Sequence, residues 1–371
     1  MIGKIRLSKS SISQKEKDAV SKILDLEYLG MGQEVELFEQ DIKKYLKTDF
    51  EVVCVSNGTA ALHLTLIALG LKKNDEVLVP SLTYIASFQA ISATGAVPIP
   101  CEVDPKTLFI DIDDAKSRIT KNTKAIMPVH YASSSIGMDS VHELAKEYDL
   151  RVVEDAAQAF GSKRDGNNVG CTGDIVCFSF DGIKNITSGE GGAILSKDKD
   201  FVQRVKDARL LGVEKDTEKR YNDQRSWDFD VKEQGFRYHM SNIMAAIGRV
   251  QLLRIDQFKT KRQDIVDKYL NEFKGIGEVE FLDFNFTELL PHIFVIKARQ
   301  RDDLRTFLLQ NNIECGVHFK PNHLLSKFSV KYDLPITEKV YEQILTLPCH
   351  YDLSNKEQDY VIEKIKEFYG K

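Results

Sequence analysis

Three short segments carry residue types that could do chemistry, and each follows an apolar run read as a strand. One is Ser179-Phe180-Asp181-Gly182-Ile183-Lys184, continuing to Gly189-Glu190-Gly191-Gly192. A lysine in a loop is ordinarily a solvated charge. Lys184, however, follows IVCFSF and sits among small residues, where burial favours a neutral amine able to attack a carbonyl. A second segment is Glu154-Asp155-Ala156-Ala157-Gln158. An acid at the end of an apolar strand is costly without a partner. Asp155 could grip a protonated ring nitrogen, or it could simply bond a helix start. The third is Ser56-Asn57-Gly58-Thr59-Ala60. Gly58 lets the backbone approach a ligand closely, and the N–H groups of Thr59 and Ala60 would point from a helix start toward an anion. Helix capping by Ser56 or Asn57 is the alternative reading of the same residues.

The elements that must position these loops alternate. VVCV (52–55) reads as a strand, and Leu62, Leu66 and Leu69 fall near helical spacing before Gly70. EVLVP is a strand ended by Pro80, YIASFQAISATG is weakly helical, and VPIPCEV precedes a helix near 112–119. KAIMPVH leads to a helix at 139–148, and LRVVEDA is another strand. IVCFSF and GGAILS read as neighbouring strands whose joining loop carries Lys184. Such alternation predicts an α/β domain with a largely parallel sheet covered on both faces. A helix is expected over 198–211, an extended surface excursion over 213–235, and one long helix from Ser241 to about Phe273. Beyond it, HIFVIKA, RDDLRTFLLQNN and a helix over 354–369 suit a smaller α+β unit.

Composition narrows the classes. The chain has 371 residues, which is long for one core and predicts two domains. Its 51 basic and 56 acidic residues include no block that would neutralise a run of phosphates, so nucleic acid is not an expected partner. No stretch reaches the ~20 apolar residues of a membrane helix, and MIGKIRLSKSSIS has no signal-like apolar core. A cytoplasmic location is the default expectation. None of the six cysteines forms a CxxC pair, so buried free thiols are expected. No HExxH-like pair occurs, and no metal is expected.

Taken together, SNGTAAL, PSLTYIAS, VEDAAQAFG, FSFDGIKNITSGEGG and GFRYHMSNIMAAIG resemble, in order, the DegT/DnrJ/EryC1/StrS sugar aminotransferases. GVHFKPNHLL and YEQILTLPCHYDLS extend the likeness over nearly the whole chain. The resemblance implies a fold-type I aminotransferase with a mostly parallel central sheet. Residues 1–250 would form a large α/β domain that binds pyridoxal 5'-phosphate, and 251–371 a small α+β domain. It further implies a homodimer with shared active sites. Lys184 matches the lysine that holds the cofactor; relatives with histidine at its position dehydrate instead. Asp155 matches the acid facing the pyridine nitrogen, Gln158 the neighbour of the phenolic oxygen, and Tyr84 the aromatic over the ring. Gly58, Thr59, Ala60 and Ser179 match the phosphate site. Arg237 stands where many relatives have an asparagine that reaches the phosphate from the neighbouring subunit. Its guanidinium could take over that contact, turn to the substrate diphosphate, or lie in solvent. Asp181-Gly182 replaces a bulkier His-Pro-like pair. His318, Lys320 and His323 fall in a segment that often helps form the substrate site.

The expected reaction moves an amino group from glutamate to a nucleotide-linked 4-keto-6-deoxy sugar. The expected acceptor is dTDP-4-keto-6-deoxyglucose, and HMSNIMAAIG looks more like relatives that aminate carbon 4. Competing readings are a 3-aminotransferase acting on a 3-keto sugar, a GDP- or UDP-sugar 4-aminotransferase, and a regulator that kept the fold without catalysis. The product could serve lipopolysaccharide O-antigen, another surface glycan or an antibiotic sugar.

Overall fold

The structure, a computed structural model, describes residues 3–371. Two helices open the chain, α1 (Gln14–Asp25) and α2 (Gln33–Leu46). Next come β1 (Glu51–Val55), α3 (Gly58–Ala68), β2 (Glu76–Pro80), α4 (Ile85–Ala93) and β3 (Val97–Cys101). They are followed by α5 (Ile112–Ser117), β4 (Thr123–Ile126), α6 (Met138–Tyr148) and β5 (Arg151–Asp155). A short hairpin, β6 (Lys163–Arg164) and β7 (Asn167–Asn168), precedes β8 (Ile175–Ser179) and β9 (Gly192–Ser196). The strands of the main sheet run β1-β9-β8-β5-β4-β2-β3. Only β9 is antiparallel to its neighbours. The carboxyl ends of β1, β2, β5 and β8 therefore open on the same edge, where ligands of such sheets bind.

Strand alternation divides the core into layers. Val53, Val55, Val77, Val79, Val153 and Ile175 face α3 and α4. Their neighbours Val52, Cys54, Val176 and Phe178 face α2 on the other side. This two-sided burial explains the continuous apolar runs of the sequence. Gly70 ends α3 with φ +78°, a conformation that glycine adopts without a Cβ clash.

The second half begins with α7 (Lys199–Ala208), α8 (Asp216–Tyr221), α9 (Asn242–Leu252) and α10 (Ile255–Glu272). A three-stranded sheet follows, in the order β10 (Val279–Phe281), β11 (Phe294–Ala298) and β12 (Ile344–Leu347). Helices α11 (Arg301–Gln310), α12 (Pro335–Tyr341) and α13 (Asn355–Phe368) complete the fold. Two expectations need correction. The long helix over 241–273 is broken at Leu253 and Arg254. There Arg254 donates to Glu16 Oε1 at 2.5 Å and tethers α1. The excursion over 213–235 contains the short helix α8. The amino-terminal residues also cross over: Ile5 bridges to Ile313 and packs in the core of the smaller sheet. Five cysteines are buried, Cys171 is half-buried, and all six are free. No helix among the described residues is long and apolar enough to cross a membrane.

Arg209 ties this second half to the main sheet. It is fully buried and donates to Glu39 Oε1 and to the Cys54 carbonyl, each at 2.7 Å. Glu39 also accepts the Cys54 N–H at 2.7 Å and the Tyr221 hydroxyl. Removing one partner leaves a buried charge unpaired, so Glu39→Ala is expected to cost about 3–5 kcal/mol in urea unfolding.

Candidate active site

The loops after β1, β2, β5 and β8 enclose a cavity of about 750 Å³. Gly58, Thr59, Ala60, Tyr84, Asp155, Gln158, Ser179 and Lys184 all line it, as does His318. Each wall has a local cause. Asn57 caps α3 by accepting the Ala60 N–H at 2.7 Å. The cap consumes the Ala60 N–H that the sequence reading aimed at an anion, while Gly58, Thr59 and Ala60 at the start of α3 line the cavity. Gly58 is required by packing, since a Cβ there would sit 2.8 Å from Ser179 Cβ. Gly192 is required too, because a Cβ would lie 2.6 Å from the Asn57 carbonyl oxygen. Tyr84 precedes α4, with 58% of its surface exposed at the cavity wall.

Asp155 follows Val153 on the β5 face that looks toward α4, and it is buried. Ser87 Oγ donates to its Oδ2 at 2.7 Å, and the Ala157 N–H donates to Oδ1 at 3.2 Å. Gln158 is fixed by the Ala132 N–H, which donates to its Oε1 at 2.8 Å. Lys184 projects from the β8–β9 loop. The next residue, Asn185, anchors that loop by donating to the carbonyls of Gln158, Phe160 and Leu290 at 3.2, 2.8 and 3.0 Å. Burial pushes the Lys184 amine below the usual lysine range, against the pull of Asp155 and Asp181 toward the ammonium. Its Nζ lies 3.4 Å from His292 Nε2.

Three expected residues stand elsewhere. Segment 236–239 runs as an extended strip, bridging Leu210 to Arg237 and Val55 to His239. Side chains alternate along such a strip. Tyr238 therefore lines the cavity, while Arg237 and His239 line a separate one of about 110 Å³ with Arg220 and Asp216. Burial, with Arg237 and Arg220 nearby, pushes His239 down to about 4. Lys320 is exposed and outside the large cavity. His323 is buried, bonded to Ser81 Oγ at 2.7 Å and to Glu338 at 3.2 Å, so its ring anchors a loop rather than facing the cavity. Sequence reading missed Ser87, Asn185 and His292. Ser87 and Asn185 lie inside the PSLTYIAS and FSFDGIKNITSGEGG segments, but the partners that give these two and His292 their places are distant in sequence, so local spacing assigned them no role.

The cavity suits pyridoxal phosphate. A helix start accepts an anion, a buried carboxylate faces inward, an amine leans toward neutrality, and an aromatic ring stands at the wall. The sequence model of the DegT/DnrJ/EryC1/StrS aminotransferase family matches residues 10–366. GDP-perosamine synthase of Escherichia coli O157:H7 is 38% identical over 364 residues, 97% of each chain. A Streptococcus pneumoniae chain assigned as a sugar aminotransferase, in its PMP form, superposes with a TM-score of 0.92 at 29% identity, covering 99% of this chain and 98% of that one. DesV of S. venezuelae, in complex with a ketimine intermediate, gives 0.88 at 30% identity over 96% and 95%. This chain therefore belongs to the DegT/DnrJ/EryC1/StrS aminotransferase family and is a pyridoxal-phosphate-dependent aminotransferase of fold type I.

Proposed function

We propose that this chain transfers an amino group from glutamate to carbon 4 of a nucleotide-linked 4-keto-6-deoxy sugar, with Lys184 and Asp155 as catalytic residues. The observation that carries the transfer is that one cavity holds Lys184, Asp155 and the start of α3. When bound, pyridoxal phosphate supplies a conjugated ring that takes up the electrons released as a C–H bond breaks. The chain supplies the rest. Asp155, oriented by Ser87, favours a proton on the ring nitrogen. The start of α3, with Ser179 beside it, holds the phosphate. Tyr84 would lie over the ring, and Gln158, held by the Ala132 N–H, would stand beside its phenolic oxygen. Lys184 Nζ removes the α proton of the amino donor and returns it, general acid–base work worth ~10²–10⁴-fold in rate.

A relative bears on the choice of nucleotide. The likeness to GDP-perosamine synthase, a sugar 4-aminotransferase, favours a GDP-linked acceptor over the dTDP-linked one expected from sequence. His318 is the one substrate-segment residue that lines the cavity, and we assign it to the acceptor side. A homodimer is supported by Arg237, which faces away from its own cavity, and by apolar side chains around it. Leu211 and Phe229 line the same small cavity as Arg237, and both are exposed, as are Val231 and Trp227, the last at 88%. In this reading, Arg237 reaches the phosphate or diphosphate in the second subunit's site.

Three outcomes are expected. Glutamate with a panel of GDP-, dTDP- and UDP-linked 4-keto-6-deoxy sugars should yield 2-oxoglutarate fastest with the GDP sugar. Turnover confined to a ketone without a nucleotide would overturn the sugar-nucleotide reading. Adding pyridoxal phosphate to the purified protein should give a near-ultraviolet or visible band, and Lys184→Ala should remove the lysine-linked band and slow transfer by at least ~10²–10⁴-fold. Mixing Lys184→Ala chains with Arg237→Ala chains should restore activity above that of either alone, since a hybrid dimer has one intact shared site. Absence of such recovery counts against sharing.

A further inference from the structure

His292 is a buried histidine that the catalytic scheme above leaves without a task. It lies just before β11, far along the chain from Lys184, and the fold brings its Nε2 within 3.4 Å of Lys184 Nζ. Its backbone is held on both sides. The N–H donates to Ser133 Oγ at 2.9 Å, and Ser133 Oγ donates in turn to the Gln158 carbonyl at 2.5 Å. From α10, the buried Arg262 guanidinium donates to the carbonyls of Pro291, His292 and Cys349 at 3.0, 2.9 and 3.1 Å. The backbone that carries the imidazole is thus held by the same turn that holds Gln158.

The ring's own hydrogen bonds decide where its proton sits. Among the described residues, Nδ1 is buried and has no partner. A neutral imidazole has one N–H and one bare nitrogen. Placing the hydrogen on Nδ1 would bury an unsatisfied donor, which folded proteins strongly avoid. Placing it on Nε2 aims it at the Lys184 amine. A doubly protonated ring is opposed by burial and by the neighbouring Lys184, Arg262 and His318, all of which push His292 well below the usual histidine range.

We infer that His292 is a positioning residue for Lys184: it donates from Nε2 to the lone pair of the neutral amine and holds Nζ uncharged and aimed into the cavity. The inference rests on the reading of Lys184 as the cofactor's lysine. An ammonium has no lone pair to accept this bond, so forming it would require the ring to move its proton to the unpartnered Nδ1. The groups facing Nζ divide by their effect. Asp155 from β5 and Asp181 from the same loop favour the ammonium. His292, held by the 133 turn and α10, favours the amine. His318, bonded through Nδ1 to Thr346 Oγ1 at 2.8 Å, is pushed down to about 4 by burial and by Lys184, so its ring favours the neutral form and adds no positive charge beside the amine.

The test uses the full chain stripped of cofactor, so that it reads the amine and not turnover. Trace acetylation with acetic anhydride across a pH series, followed by mass spectrometry of the peptide containing Lys184, gives the midpoint at which the amine becomes reactive. His292→Phe keeps the ring volume and removes the donor; its midpoint should rise by about one pH unit, or about tenfold lower reactivity near neutrality. His292→Gln returns a donor near the Nε2 position and should keep the parent midpoint. A His292→Phe midpoint equal to the parent, or a His292→Gln midpoint shifted as far as that of His292→Phe, overturns the inference. Nitrogen-15 shifts of the His292 ring in the unmodified protein provide a reading that needs no variant. Protonation at Nε2 supports the inference, and protonation at Nδ1 overturns it. If the Lys184 peptide of the parent reacts only at the high pH of an exposed lysine, the cofactor reading of Lys184 fails as well.

Discussion

The Lys184 amine sits where a positive charge is poorly solvated, and the cavity is arranged around that constraint. Burial pushes the amine toward neutrality while Asp155 and Asp181 pull it back toward the ammonium. The balance matters because only an amine with a free lone pair can attack a carbonyl or accept a proton. A lysine at the same place on an exposed loop would be a solvated ammonium near pH 7. The fold therefore has to bury the end of a long flexible side chain, and part of its loop goes with it: Asn185, Ile186, Thr187 and Ser188 are buried. It does so by anchoring the neighbour, Asn185, to three carbonyls from two other segments.

Sheet topology places the other groups. Strands β1, β2, β5 and β8 share a direction, so the residues following each meet at one edge. Alternation along β5 then separates two adjacent acids. Asp155 turns toward α4 and the cavity, whereas Glu154 turns to the opposite face and bonds His130 at 2.9 Å. The same two-residue period at 236–239 sends Tyr238 into the cavity and Arg237 out of it. One residue of register thus decides which of the two cavities a side chain lines.

Much of this was legible from the chain. The apolar runs gave the strands, because a strand covered on both faces has no polar side to show. Gly58, read from sequence as meeting a ligand, and Gly192 stand at close approaches within the chain itself, where a Cβ would collide with Ser179 or the Asn57 carbonyl. The Lys184 and Asp155 segments stood out because a charged residue at the end of an apolar strand requires a reason. Helical periodicity did not reveal the break at Arg254, since that residue leaves the helix to meet Glu16 over two hundred residues earlier.

Local sequence determined which segments become strands and helices, which loops carry a lysine, an acid and a helix start, and hence the family of chemistry. Tertiary structure alone decided that Ser87 orients Asp155, that His292 reaches Lys184, that His323 is an anchor, and that Arg237 faces away from its own cavity. The division has a physical cause. Secondary structure and burial follow from periodicities a few residues long, whereas a hydrogen bond between side chains tens to hundreds of positions apart leaves no period in the sequence and exists only once the chain has folded.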